Sequence, residues 1–151
     1  MAKKRGFTLI ELLVVISIIG TLVGLIVNNM ADARARARDS SKKSGLNQLK
    51  TGLRLYYNDF QIYPNHASGN SDINGCIDGA DPCDGPGNPF ATTNTIYMKE
   101  LPEFDYYEQT DSGDGFLIKV TLENASDPDL ATSQTSCGGV HEPTDYIACA
   151  D

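Results

Sequence analysis

The sequence predicts an α+β protein in which one long N-terminal helix packs, along its C-terminal half, on a small antiparallel β-sheet. Three observations carry that expectation. Residues 7–27 hold 15 apolar side chains and a single charge, Glu11, a run too long and too even to be the stripe of a surface helix. Leu46, Leu49, Leu53, Tyr56 or Tyr57, and Phe60 then recur at three- and four-residue steps, as on a helix with one face in a core. Beyond residue 90, short β-branched and aromatic runs alternate with Gly, Pro, Asp and Asn, the pattern of strands and turns.

The chain opens Met-Ala-Lys-Lys-Arg-Gly, with three consecutive bases before the apolar run. As a helix the 21 apolar-segment residues would span about 31 Å, the hydrocarbon thickness of a bilayer, and the bases before them mark the cytoplasmic side. A secretory signal peptide fits poorly. The run exceeds the usual signal core, and Asn28 to Arg34 continue it without a turn signal or a small-residue cleavage site. Glu11 is costly inside such a segment, by about 2.5–3.5 kcal/mol at a helix centre and less near an end. Two partners are available to it. Thr8 and Glu11 stand at the S/T-x-x-E spacing of a capping box, and a cut between Gly6 and Phe7 would create a positive α-amino group nearby.

The stretch Lys4-Arg5-Gly6-Phe7-Thr8-Leu9-Ile10-Glu11-Leu12-Leu13-Val14-Val15 resembles the type III signal of type IV prepilins and type II secretion pseudopilins. The resemblance implies cleavage after Gly6 by a membrane-embedded prepilin peptidase and N-methylation of the new terminal Phe7. It also places Glu11 at the glutamate that sets subunit register by pairing with a neighbour's N-terminal amine. Asn28 stands where many members carry a proline that loosens the helix, which leaves Gly20 and Gly24 as weak points. The sequence around Tyr56-Tyr57-Asn58-Asp59-Phe60-Gln61-Ile62-Tyr63-Pro64 is similar to the end of the long helix in major pseudopilins, and a helix rarely passes the residue before a proline.

These readings divide the chain into a leader (1–6), a hydrophobic transmembrane or fibre-core helix (7–30), an amphipathic continuation (31–62) and a globular head (63–151). From Phe7 to Phe60 the helix would run roughly 80 Å. Residues 64–90 contain nine Gly or Pro and read as a loop. Strands are expected at 95–99, 104–108, 115–122 and 145–149, of which 115–122 is clearest.

The net charge of −8 argues against nucleic-acid binding. It is unevenly spread: residues 55–151 hold 17 acids against Lys99 and Lys119, whereas residues 32–54 hold seven bases and two acids. The Ala-Arg alternation from Ala33 to Arg38, followed by Lys42 and Lys43, reads as a solvated helix face that in a fibre would meet acidic heads of adjacent subunits.

Cys76, Cys83, Cys137 and Cys149 lie beyond the membrane segment, where disulfides are the default. Three pairings are open; proximity favours 76–83 and 137–149, and a C-terminal disulfide loop is familiar in pilins. Zinc held by the four thiolates and His141 is disfavoured, since the spacings fit no zinc knuckle. Calcium is the cofactor to weigh, at Asp78, Asp81 and Asp84 with Asn88, or at Asp111, Asp114, Asp127 and Asp129, because hard cations take oxygen ligands and major pseudopilins carry calcium in a C-terminal loop. The spacing is not that of an EF-hand. For catalysis there is little: His66 and His141 read as loop residues, nothing orients Cys137 and His141 as a nucleophile and its base, and no G-x-S-x-G, H-E-x-x-H or phosphate-binding loop occurs. Asn124-Ala125-Ser126 is a formal glycosylation sequon.

The resemblance thus implies a building block and not an enzyme: a subunit of a type IV pilus or type II secretion pseudopilus. Its partners would be copies of itself, prepilin peptidase, an inner-membrane assembly platform and minor pilins. It would reside as a single-pass membrane protein before assembly, N-terminus cytoplasmic and head extracytoplasmic. The competing readings are a membrane-anchored extracytoplasmic binding protein whose acidic loops hold calcium, and a secreted hydrolase cut near residues 25–35.

Overall fold

The computed structural model describes residues 7–66, 73–74, 89–92, 95–139 and 141–150, without the side chains of 25–29, 66 and 74. Helix α1 runs Leu9–Phe60. Its start is a capping box: the Thr8 amide and hydroxyl donate to Glu11 Oε2 at 2.8 and 2.6 Å, and the Glu11 amide approaches Thr8 Oγ1 at 3.4 Å, which satisfies backbone donors that a helix start leaves orphaned. Its end is a left-handed Gln61 (φ 56°) whose amide donates to Tyr57 O at 2.8 Å. The Gln61 side chain donates to the Tyr57 and Asn58 carbonyls as well, so a polar residue does at C′ what glycine usually does.

The chain divides into two units, Met1–Arg36 and Ala37–Asp151. In the first, every large apolar side chain from Phe7 to Val23 is at least 48% exposed. Apolar surface of that extent marks a face made to be covered by lipid or by protein. Among the described residues no helix is long and apolar enough to cross a membrane.

In the second unit the periodic face of α1 enters the core, with Leu46, Leu49, Leu53 and Tyr56 buried. Phe60, expected on that face, is 38% exposed, although its ring still lies against Tyr56 at a centroid distance of 4.6 Å. The core face meets a three-stranded antiparallel sheet. Counting strands along the chain, β1 (Asn65–His66) pairs with β2 (Ile73–Asn74), and β3 (Phe90–Ala91) with β4 (Ile96–Met98). Strands β5 (Tyr106–Thr110), β6 (Gly115–Thr121) and β7 (Asp145–Cys149) form the main sheet in the order β5-β6-β7. Central β6 alternates as a half-buried strand should, with Phe116, Ile118 and Val120 inward. Tyr107 from β5 is fully buried and donates its hydroxyl to Pro64 O at 2.7 Å, which anchors the chain as it leaves α1.

Three expectations are corrected. Residues 64–90 are not loop throughout, because the described residues include β1, β2 and the start of β3, with Ile73 and Phe90 fully buried. The strand expected at 104–108 is shifted to 106–110: Phe104 is a core residue ahead of it, and Asp105 accepts from the Thr121 amide at 2.6 Å. A second helix, α2 (Pro128–Cys137), was not anticipated. Asp127 caps it by accepting from Asp129 N at 3.0 Å, with proline in the first turn, the favoured start of a helix. It packs on β7, with Leu130 and Ser133 buried.

Two glycines are required by their neighbours. A Cβ at Gly113 (φ 109°) would lie 2.4 Å from Ile62 Cγ1, and the Gly113 carbonyl accepts from the Tyr63 amide at 2.8 Å, so the β5–β6 turn seats directly on the chain leaving α1. A Cβ at Gly45 would lie 2.7 Å from Pro102 Cβ, where the β4–β5 connection lies on the helix.

Candidate assembly site

The N-terminal unit presents Phe7, Ile10, Glu11, Val14 and Val15 around a shallow apolar depression of about 390 Å³. Glu11 is the one ionisable group in it. Through Oε2 the carboxylate is oriented by both Thr8 donors, so a formal charge is held in place on an otherwise apolar face.

On the head, three bases of α1 reach partners far along the chain, Arg38 while still exposed. Arg38 forms a bidentate pair with Glu123, Nε and Nη2 each at 2.6 Å, and Lys42 Nζ donates to Thr121 O at 2.9 Å. Lys43 Nζ reaches Asp127 at 2.8 Å and Asp129 at 2.6 Å. Between them Asp39 is 2% exposed and accepts from the Glu123 and Asn124 amides, each at 2.9 Å. The segment from Glu123 to Asp129 is thereby clasped to one stretch of α1.

The clasp leaves a mark on ionisation. The Lys43 hydrogen bond holds Asp127 below the usual carboxylate range, against a smaller upward push from burial; the Arg38 hydrogen bond does the same for Glu123. Such carboxylates bind protons less readily folded than unfolded, so their stabilisation is present above the ordinary carboxylate range and is lost as pH falls through their folded values. Thermal unfolding followed by the near-ultraviolet circular dichroism of the head tyrosines is therefore expected to shift to lower temperature between about pH 5 and pH 2. Lys43→Ala is expected to lower the neutral-pH midpoint and to flatten that dependence; an unchanged slope would show that the clasp does not contribute.

The structure does not gather Asp111, Asp114, Asp127 and Asp129 as a calcium site. The last two are the N-cap and first turn of α2 and hold Lys43, while Asp114 accepts from Tyr57 Oη at 3.1 Å and Asp111 from Thr110 Oγ1 at 3.3 Å. Among the described residues no group of three or more His, Cys, Asp or Glu is placed to hold a metal ion. Asp78, Asp81, Asp84, Asn88, Cys76 and Cys83 lie outside the described residues. Cys137 and Cys149 form a disulfide between the C-terminus of α2 and the end of β7, which removes the thiol from any pairing with His141. The His141 ring instead meets Gly138 O. Asp39 was missed from sequence; a lone acid between Arg38 and two serines gives no hint of the amides it will meet.

The chain thus combines an oriented carboxylate on an exposed apolar helix segment with a small disulfide-bearing α+β head. The family model of the prokaryotic N-terminal methylation motif matches residues 1–27. The chain is 35% identical over 66 residues to the type IV major pilin protein PilA of Myxococcus xanthus, covering 44% of this chain and 30% of that protein. To the type II secretion system core protein G of Escherichia coli it is 40% identical over 62 residues, 41% of this chain and 43% of that one. To the type IV wide pilus major component PilA4 of Thermus thermophilus it is 40% identical over 63 residues, 42% and 48% of the two chains. Over its N-terminal part the chain is thus similar to type IV pilins and to type II secretion core proteins G. The matches span less than half the length of these curated relatives, and no solved structure matches the chain.

Proposed function

We propose that the chain is a structural subunit of a helical filament, a type IV pilus or a type II secretion pseudopilus. In this reading residues 1–6 are a leader removed between Gly6 and Phe7, and Phe7 becomes the N-methylated first residue. Residues 7–30 are the membrane-resident, later fibre-core helix, residues 31–62 carry it into the head, and residues 63–151 form the exported head. The subunit waits in the membrane with its N-terminus cytoplasmic, is processed by prepilin peptidase, and is built into the filament by an inner-membrane platform with minor pilins. No catalytic role is assigned.

One observation carries the proposal: the methylation motif over residues 1–27 coincides with a helix segment whose described large apolar side chains are all exposed. Since lipid is as apolar as leucine, moving that face from bilayer to fibre gains little from burial. A directional group is needed to set register, and Glu11 is the one charge available there. Mass spectrometry of the N-terminus, on protein from cells with their own prepilin peptidase, tests the reading. A chain beginning at N-methylated Phe7 is the expected result. Retention of Met1 to Gly6, or a cut beyond Val27, would overturn it.

A further inference from the structure

Seventeen acids and two bases in residues 55–151 make heads of this chain repel one another at close range. Apart from Lys3, Lys4 and Arg5 at the N-terminus and Lys99 and Lys119 in the head, the countercharge lies in residues 32–54, and most of that is already committed. Arg38, Lys42 and Lys43 hold their own head, and Lys50 and Arg54 are also engaged. Arg34 and Arg36 remain, both exposed and without a hydrogen bond or ion pair to any described residue. The head has an opposite feature. A groove of about 800 Å³ lies between α1 and the β4–β5 connection, lined by Ser40, Ser41 and Ser44 on one element and Glu100, Leu101 and Glu103 on the other. Arg38 and Lys42 also line it; Arg38 is paired with Glu123, whereas Lys42 donates to the neutral Thr121 carbonyl and keeps its charge. Glu100 and Glu103 are exposed and make no hydrogen bond or ion pair to any described residue, so with Arg38 offset by Glu123 two carboxylates stand against the single ammonium of Lys42.

We infer that this groove receives the Ala33–Arg36 segment of a second copy of the chain, with an arginine of that copy set against Glu100 and Glu103. The inference rests on the filament reading above and adds the head-to-helix contact to it. Alanine on either side of each arginine lets the helix backbone approach the small serines that α1 presents there. A guanidinium matches carboxylates with a planar fork. Arg34 and Arg36 point to nearly opposite sides of the helix, about 200° apart at 3.6 residues per turn, so one segment can serve neighbours on two sides. That suits a head-to-tail contact which propagates instead of closing.

The test compares four full-length chains in cells able to assemble them: wild type, Arg34→Glu with Arg36→Glu, Glu100→Arg with Glu103→Arg, and all four changes together. Sheared filaments are quantified against processed subunit in the membrane. Each double reversal is expected to cut filament yield about tenfold or more, since like charges then face each other across the contact, and the quadruple variant is expected to recover most of it. A second measurement is insensitive to misfolding: in filaments of the Arg34→Lys, Arg36→Lys chain, carbodiimide should join two copies through peptides containing positions 34–36 and 100–103. Double reversals that assemble like wild type, a quadruple variant without recovery, or absence of that cross-link each overturn the inference. Loss confined to the arginine variant would assign the arginines to another anion, such as lipid phosphate, and overturn it too. Failure of the wild type to assemble would instead strike the filament reading itself.

Discussion

Glu11→Leu is expected to leave the subunit processed and inserted at normal levels while reducing recovered filaments by about two orders of magnitude or more, since breaking a buried ion pair costs about 3–5 kcal/mol. Insertion should survive because leucine removes an expensive polar group from the apolar segment. The informative partner is Glu11→Gln. In the structure Glu11 completes a capping box with Thr8, a role that glutamine fills equally well, whereas only glutamate carries charge. If the function of Glu11 is to meet the α-amino group of another subunit, Glu11→Gln fails almost as badly as Glu11→Leu. Normal filaments from Glu11→Gln would reduce Glu11 to a helix cap.

The second large effect is on the stability of the head. Asp39→Ala is expected to lower it by about 2–4 kcal/mol, because the Glu123 and Asn124 amides lose their acceptor where water does not replace it. Calorimetry should record this as roughly 10–15 °C in Tm for a unit of this size. Asp39→Asn retains one acceptor oxygen and should cost about half as much. The outcome separates two views of the clasp: if Arg38 and Lys43 carried it, removing the carboxylate between them would cost little.

How much of this was legible from the sequence differs by element. The α1 periodicity was readable because leucines at three- and four-residue steps admit one interpretation, and β6 because Phe116, Ile118 and Val120 alternate over a full strand. The pairing of Cys137 with Cys149 followed proximity. Helix α2 went unread although Asp127-Pro128 is a strong start signal, because its acids were counted as cation ligands and its polar body, Thr132 to Ser136, shows no apolar stripe; it is helical because Leu130 and Ser133 pack on β7. The basic run after residue 33 was read as solvated, yet Arg38, Lys42 and Lys43 have partners some 80 positions further along. Pairings over that separation leave no local trace. At the candidate site the balance is reversed, since Glu11 stands out from a one-dimensional reading of its neighbours.

The disulfide has a consequence for the order of events in export. Strand β7 is an edge of the main sheet, pairs only with β6, and carries Cys149 at its end. Under the filament reading, with the N-terminus held on the cytoplasmic side, the head is delivered in chain order and β7 comes after every other described element. Cys149 arrives last of the four cysteines, so the Cys137–Cys149 bond can close only on a head that has received its final strand. Under the filament reading, a subunit bearing this cystine is one whose last strand has been delivered.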